Sequence, residues 1–546
     1  MEPISPLLLP IPVIALYAET HYRFRYFPFS LYYRREPEIL FDAPTRLDTA
    51  SPLPVALIIK DAHRFPIHLE RVVMELGYRD EQGHYHPLPA PEFPLDLGLN
   101  LPLWHRIFEL EVEQWRGEEL EIIPILYCRV RGREKRVRVD NYPGLKRQPL
   151  KVYLADRTFA LLSDWHPGEI HCHTSYGDDF VEFGAPLEVI GRLARAMGIR
   201  WVAITDHSYN LDDPPGDPSR HDPDLPKWHS LRKERDLLSR DLPLLLIGEE
   251  VTVRNSRGRN VHLIVIGSNR FYPGSGDSAE RWFQTRSELS VPELLQQLEE
   301  HTLAIAAHPL TPTPKLEALL IGRGKWEQDD LAHPRLDLWQ IVNGEWDEGY
   351  RQGKAAWLNR LAQGIKVNIV GGNDAHGNFN LFRQVKLPMI ALRQGRHHLF
   401  GKVISYLYCP NPLTDQEVIS HLKRGEVMVS DGLWANLNIL PSQGSEVDPS
   451  TPTQEGKVNL RVEWASHPLW GWPHSVKIFG GTTQGERMWE VIDQVDPNGK
   501  KSYRGEMVLQ LPPCEYYRGE ISSRGKREIP YQAITNAIWL KNHKVR

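Results

Sequence analysis

Glu169-Ile170-His171-Cys172-His173-Thr174, the stretch Pro186 to Met197, and Trp201-Val202-Ala203-Ile204-Thr205-Asp206-His207 follow one another near the middle of the chain. They read as strand, helix and strand, and both strands end in side chains able to ligate a metal. The rhythm continues outward. Apolar strands are predicted at Leu244 to Ile247, Val261 to Ile266, Leu303 to Ala307, Leu338 to Val342 and Val367 to Val370, with helices at Val291 to His301 and Tyr350 to Gln363. Alternating strand and helix implies a largely parallel sheet or barrel. Before it, short apolar runs such as Pro54 to Ile59, Ile67 to Gly77, Trp104 to Val112 and Leu120 to Val130 form an all-β pattern. After it, one helix, Thr414 to Arg424, leads into a second strand-rich region that includes Val458 to Trp464 and Met507 to Leu511. Three domains are expected: residues 1–165 β-rich, 166–395 α/β, and 396–546 β-rich, with sandwich-like flanks.

Composition agrees with this division. The 546 residues include 41% apolar residues, ordinary for a globular protein, while 44 Pro favour strand-rich and loop-rich parts over long helical bundles. Lys and Arg total 65 against 70 Asp and Glu, a net charge of −5, so no global basic field supports nucleic acid or an anionic membrane as a partner. The four cysteines, Cys128, Cys172, Cys409 and Cys514, form no C-x-x-C pair, which points to neither a disulfide framework nor a thiolate zinc site. The apolar stretch Leu7 to Ala18 contains two prolines and follows no basic residue; it is too short for a span and lacks the start of a signal peptide. The expected compartment is the cytoplasm.

In parallel sheets and barrels, chemistry gathers at the C-terminal ends of strands, where loops converge without disturbing the core. The residues found there are His171, His173, Asp178 and Asp179; Asp206 and His207; Glu249 and Glu250; His262; His308; and Asp374 and His376. With 23 His in the chain, about one H-x-H is expected by chance, and His84-Tyr85-His86 and Asp61-Ala62-His63 repeat the patterns in what read as solvated turns. An ordered series of His, carboxylate and His at successive strand ends is not a chance pattern. Imidazole with carboxylate and no thiolate suits catalytic Zn, Mn or Fe, and a carboxylate can bridge two ions.

In this order, Ile170-His171-Cys172-His173-Thr174, Ile204-Thr205-Asp206-His207, Gly248-Glu249-Glu250 with His262, Ala307-His308-Pro309 and Asn373-Asp374-Ala375-His376 resemble the PHP (polymerase and histidinol phosphatase) superfamily of metal-dependent hydrolases. The resemblance covers about residues 166–395. It implies a distorted (β/α)7 barrel carrying two or three divalent ions, Zn, Mn or Fe. His171, His173, Glu250 and Asp374 would hold one ion, Glu250, His262 and His308 a second, and Asp178, His207 and His376 a third. Asp178 or its neighbour Asp179 would serve in the third set. Glu250 rather than Glu249 fits the spacing, and on a strand only one of the two can face the site. Ile341-Val342-Asn343-Gly344, Gly371 to Gly377 and Gly425 to Gly432 look most like the CehA/McbA branch, where Asn373 replaces an expected Ser.

The implied chemistry is hydrolysis. Ions sharing Glu250 would bring a bridging water towards neutral pKa, supply hydroxide and polarise the scissile oxygen. Asp206, His207, Glu250 and Asp374 are the expected catalytic residues, Asp206 acting as an orienting group or a proton donor. The expected substrate is a small anionic or ester molecule, foremost a phosphoester. The CehA/McbA likeness points instead to a carbamate, ester or amide, and a metal-stabilised scaffold without activity is the reading outside enzymes. Elsewhere, the basic run Arg129 to Lys151 reads as a charged edge strand or an anion dock. Trp464, Trp470, Trp472 and Trp489 read as core or as a ligand surface. Arg383 is a candidate for contacting the substrate anion, and Cys172 is expected to pack.

Overall fold

The computed structural model describes residues 30–49, 52–159, 162–178, 183–276, 285–313, 318–319, 321–386, 391–440, 457–491 and 503–540. Leu7 to Ala18 and Asp179 lie outside the described residues. The N-terminal region is two stacked sheets. Glu38–Asp42, Leu53–Lys60 and Leu103–Leu110 form a three-stranded antiparallel sheet, and Ile67–Arg79, Glu119–Val130 and Leu150–Leu154 lie in a larger one. Val55, Leu57 and Ile59 pack with Leu69, Val72, Leu120 and Ile122 between them. The alternate residues Ala56 and Ile58 join the neighbouring core instead, and the period of two places Lys60 next in that outward series.

The central strands are β1 (Trp165–Cys172), β2 (Trp201–Ile204), β3 (Leu244–Arg254), β4 (Asn260–Ile266), β5 (Leu303–Ala306), β6 (Leu338–Asn343) and β7 (Asn368–Gly372), hydrogen-bonded in that order. Helices α1 (Leu187–Ala196), α2 (Pro226–Leu237), α3 (Val291–Gln297) and α4 (Glu348–Ala362) fall between them. Local signals set their limits. A Ser290/Glu293 capping box starts α3, the Asp347 side chain caps Tyr350 N at 3.0 Å to start α4, and Gly198, at φ +79°, follows α1.

The expected α/β barrel needs a correction. The sheet is largely parallel, as expected, but β3 and β4 form a hairpin, so β4 runs antiparallel to both neighbours. No continuous ladder joins β7 to β1 among the described residues. Their outer ends meet just beyond β7, where Cys172 and Ala375 form an isolated parallel bridge, with Asp374 N donating to His171 O at 3.0 Å and His173 N to Ala375 O at 2.8 Å. Gly372 permits this approach, since a Cβ there would lie 2.8 Å from Ile170 and 3.0 Å from His171. Instead, β1 pairs antiparallel with β8 (Ile404–Tyr408), which pairs with β9 (Val427–Ser430), and the sheet runs on into the C-terminal strands. Thus one sheet crosses residue 395. The C-terminal region is otherwise strand-rich, as expected, with α5 (Asp415–Arg424) capped by Thr414 and ended by Gly425 at φ +77°. Among the described residues no helix is long and apolar enough to cross a membrane.

Candidate metal centre

The outer ends of β1, β3, β5 and β7 converge on one buried cluster of imidazoles and carboxylates. At its heart are His171 and His173 from β1 and the loop after it, Glu250 from β3, and Asp374 after β7. His171 Nε2 lies 3.2 Å from Glu250 Oε2, 3.3 Å from Asp374 Oδ1 and 3.2 Å from His173 Nε2; His173 Nε2 lies 3.4 Å from Glu250 Oε2 and 3.2 Å from Asp374 Oδ1. Donor atoms about 2.0–2.1 Å from a tetrahedral ion are about 3.4 Å apart. Five edges of such a tetrahedron are therefore already in place.

The hydrogen bonds behind these atoms point the same way. His171 Nδ1 lies 2.9 Å from Gln340 Oε1, an acceptor, which puts the imidazole proton on Nδ1 and aims the Nε2 lone pair into the cluster. Gln340 Nε2 donates to Asn343 Oδ1 at 3.0 Å, and Asn343 Nδ2 donates to Asp374 Oδ2 at 3.3 Å. One chain of amides thus orients two members of the cluster. Asp374, at φ +53°, and His308, at φ +31°, both hold left-handed backbone conformations that cost a non-glycine residue about 1–3 kcal/mol.

Glu250 extends the cluster. His262 Nδ1 lies 2.6 Å and His308 Nε2 3.2 Å from its Oε1, while His207 Nδ1 lies 3.2 Å from its Oε2. Burial favours protonated Glu250, but His262, His171 and His207 outweigh it and hold the carboxyl well below the usual range. Asp374 is lowered in the same way, its burial outweighed by His171 and His173. Burial lowers the His171 pKa less than Glu250 and Asp374 raise it, so it reaches about 9. The cluster opens at one edge, where His308 and Asp374 keep 12% and 14% of their side chains exposed and line a cleft with His262, Arg323, Asn343 and Trp326.

The residues expected around one ion are brought together as a set. The second set gathers as Glu250, His262 and His207, with His308 on the same carboxylate. The third differs. His207 and His376 meet His173, whose ring stacks on His376 at 4.1 Å, while Asp178 pairs with buried Lys60 Nζ at 3.3 Å. Lys60 also donates to Phe183 O and lies over the Phe183 ring. Of the two roles expected for Asp206, its contacts are those of an orienting group: Thr174 N and Oγ1 bond its two oxygens at 2.6 and 2.7 Å, which holds the loop after β1. Glu249 faces away, as alternation demands, and burial raises its pKa to about 8.

Arg383 does not approach the cleft; it is buried against Asp140 at 3.0 Å. The basic run pairs with acidic neighbours, including Arg129 with Glu70 and Arg138 with Glu75. Trp464 and Trp470 are buried, and Cys172 is buried with Sγ towards Ala203 O. Sequence reasoning missed Gln340, Arg323, Lys60 and Glu169. Gln340 carried a signal, a polar residue inside an apolar strand. Glu169, bonded by His171 N, Asn373 N and Gly401 N, ties the ligand loops together, and Asn373 also bonds Val403 through its side chain.

No family model matches the chain, and no curated protein matches it. Among solved structures, it aligns with a glycosyl hydrolase family 2 member from Bacteroides cellulosilyticus at 11% identity and a TM-score of 0.14, covering 91% of this chain and 62% of that one. The Bacteroides uniformis β-glucuronidase gives 10%, 0.18, 91% and 60% on the same measures. MtrC from Shewanella baltica gives 7%, 0.15, 91% and 69%. The chain spans about three fifths of the length of the two hydrolases. At these TM-scores the alignments define no shared fold.

Proposed function

We propose that this chain is a metal-dependent hydrolase of phosphoesters of the PHP type, its site carried on the strand ends of residues 166–395. The observation that carries the reading is the tetrahedral spacing of His171, His173, Glu250 and Asp374, with five donor separations between 3.2 and 3.4 Å. The donor set fits Zn, Mn or Fe: imidazoles and carboxylates, without thiolate. Bound divalent ions lower the pKa of water and polarise a phosphoryl oxygen. The chain's own residues prepare that chemistry. Glu250 and Asp374 keep their negative charge in a buried site, Gln340 sets the His171 tautomer, and Asn343 orients Asp374. His207, His262 and His308 surround the second side of Glu250, and the edge open at His308 and Asp374 admits substrate.

The test is metal uptake and hydrolysis by protein reconstituted with Zn, Mn or Fe. Its substrates are p-nitrophenyl phosphate, bis-p-nitrophenyl phosphate and p-nitrophenyl N-methylcarbamate, which share a leaving group and differ at the reacting centre. The expected result is turnover of a phosphate ester that is lost in both His308→Ala and Asp374→Ala. Turnover of the carbamate alone would replace phosphoester with acyl hydrolysis. A chain that takes up no metal would end the reading.

A further inference from the structure

A second cluster of side chains able to ligate a metal lies at the opposite end of β1 from the metal centre. β8 runs antiparallel to β1, with Tyr408 paired to Trp165, so the chain leaves β8 at Cys409 beside the start of β1. Cys409 N donates to Asp164 O at 2.8 Å, which fixes the backbone there. After a short loop α5 begins, capped by Thr414, and carries Glu417 and His421 one turn apart on one face. Val418 and Leu422 pack the helix into a core that contains Leu407 and Cys409. One ligand atom from each of Cys409, Glu417 and His421 then lies within 4.8 Å of the other two. Among the described residues this is the one such group that contains a thiol.

The surroundings orient each group as a metal site requires. His421 Nδ1 lies 2.5 Å from Glu426 Oε2, a carboxylate partner that puts the imidazole proton on Nδ1 and leaves the Nε2 lone pair for an ion. That Nε2 lies 3.4 Å from Glu417 Oε2, the separation of two donors about 2.0–2.1 Å from a tetrahedral ion. Asn411 serves the other two groups. Its Nδ2 donates to Glu417 Oε2 at 3.2 Å, and its carbonyl oxygen lies 3.4 Å from Cys409 Sγ. Glu426 is held in turn by Arg424 Nε at 2.9 Å. Cys409 and His421 are buried, while Glu417 keeps 38% of its side chain exposed. The cluster therefore meets solvent at Glu417, where an ion can enter and a water can complete its coordination. An imidazolium shared by Glu417 and Glu426 would account for the two carboxylates but not for the thiol beside them.

We propose that Cys409, Glu417 and His421 bind a zinc ion, at a site separate from the metal centre and independent of the hydrolase reading. Thiolate with imidazole favours Zn over Mg, Ca or Mn, and three protein ligands leave a fourth position for water. Binding forms the Zn–Sγ bond in place of the S–H bond and releases that proton to water, with no change of oxidation state. The ion fastens α5 to the end of β8 and so braces the strand through which the central sheet continues past residue 395. The sequence holds no C-x-x-C pair, yet this donor set needs only one cysteine.

The test titrates cobalt(II), a spectroscopic stand-in for zinc, into the full chain stripped of metal by a chelator. A bound thiolate gives a near-ultraviolet sulfur-to-cobalt charge-transfer band. The metal centre, with no thiol among its donors, cannot produce it, so the band reports this site whatever the fate of the hydrolase reading. The expected result is one such equivalent per chain, displaced by zinc, lost in Cys409→Ser and retained in Cys514→Ser. Glu417→Gln, at the solvent edge, and Glu426→Ala should each weaken cobalt binding by about tenfold or more, the first by losing a ligand and the second by losing the orientation of His421. No band in the wild type, or a band that survives in Cys409→Ser, would overturn the proposal. Affinities within about threefold of wild type in both Glu417→Gln and Glu426→Ala would overturn it as well. An absent band together with a melting temperature lowered by His421→Ala would replace the zinc site with an ion pair only.

Discussion

Replacing Gln340 by Met keeps the length and most of the volume of a fully buried side chain and removes both of its hydrogen-bonding groups. His171 Nδ1–H loses its acceptor at 2.9 Å and Asn343 Oδ1 its donor at 3.0 Å. Leaving such a group unsatisfied costs about 1–3 kcal/mol, and His171, with no exposed surface, has no water to turn to. Metal-free protein should therefore lose about 2 kcal/mol of unfolding free energy in denaturant. The larger consequence is for metal. Without Gln340 the imidazole is free to place its proton on Nε2, and Asn343 no longer holds Asp374, so two ligands lose their orientation together. The expected loss of metal affinity is about tenfold to about a hundredfold, or about 1.4–2.7 kcal/mol. Competition between the protein and a chelator for Zn or Mn measures it directly. Gln340→Glu, which still accepts from His171, should recover part of the affinity. An affinity in Gln340→Met within about threefold of wild type would refute the role of this amide chain.

Glu250→Gln should remove more metal than Asp374→Asn, because Glu250 joins two of the ligand groups and Asp374 only one; elemental analysis of the two variants after identical reconstitution decides this. Lys60→Met should destabilise the chain by about 3 kcal/mol in denaturant by leaving Asp178 facing a site without its cation, and adding Asp178→Asn should restore most of that loss. Asp431, raised by burial to about 7 despite its bonds from Gln532 N and Trp346 Nε1, binds its proton more tightly folded than unfolded. Its stabilising contribution is complete below the unfolded value near 3.8 and is lost as pH rises through about 7, so a melting temperature that falls over this window should fall less in Asp431→Asn. Equal slopes in the two proteins would show that other groups set the pH dependence.

What the residues alone determined is local. Strand positions followed from apolar runs, as at Trp201–Ile204 and Leu120–Val130, and the helix Thr414 to Arg424 was placed within a residue of its observed limits. The identity of the cluster was legible too, because ligand chemistry resides in side-chain type and a strand's end fixes where its side chains emerge. Strand alternation allowed only one of Glu249 and Glu250 to face the site, and the spacing of the resembling motif chose Glu250. Partner choice was not legible. Asp178 and Asp206 are both acids beside the site, yet Lys60, 118 residues before Asp178 and on another sheet, takes one and Thr174 takes the other. Arg383 goes to Asp140 instead of the cleft, and β1 continues the sheet through β8 across residue 395. Such pairings depend on which surfaces meet when distant segments pack, and the energy of burying a charge then selects its partner. Sequence sets which groups are available; only the tertiary structure decides which charge meets which.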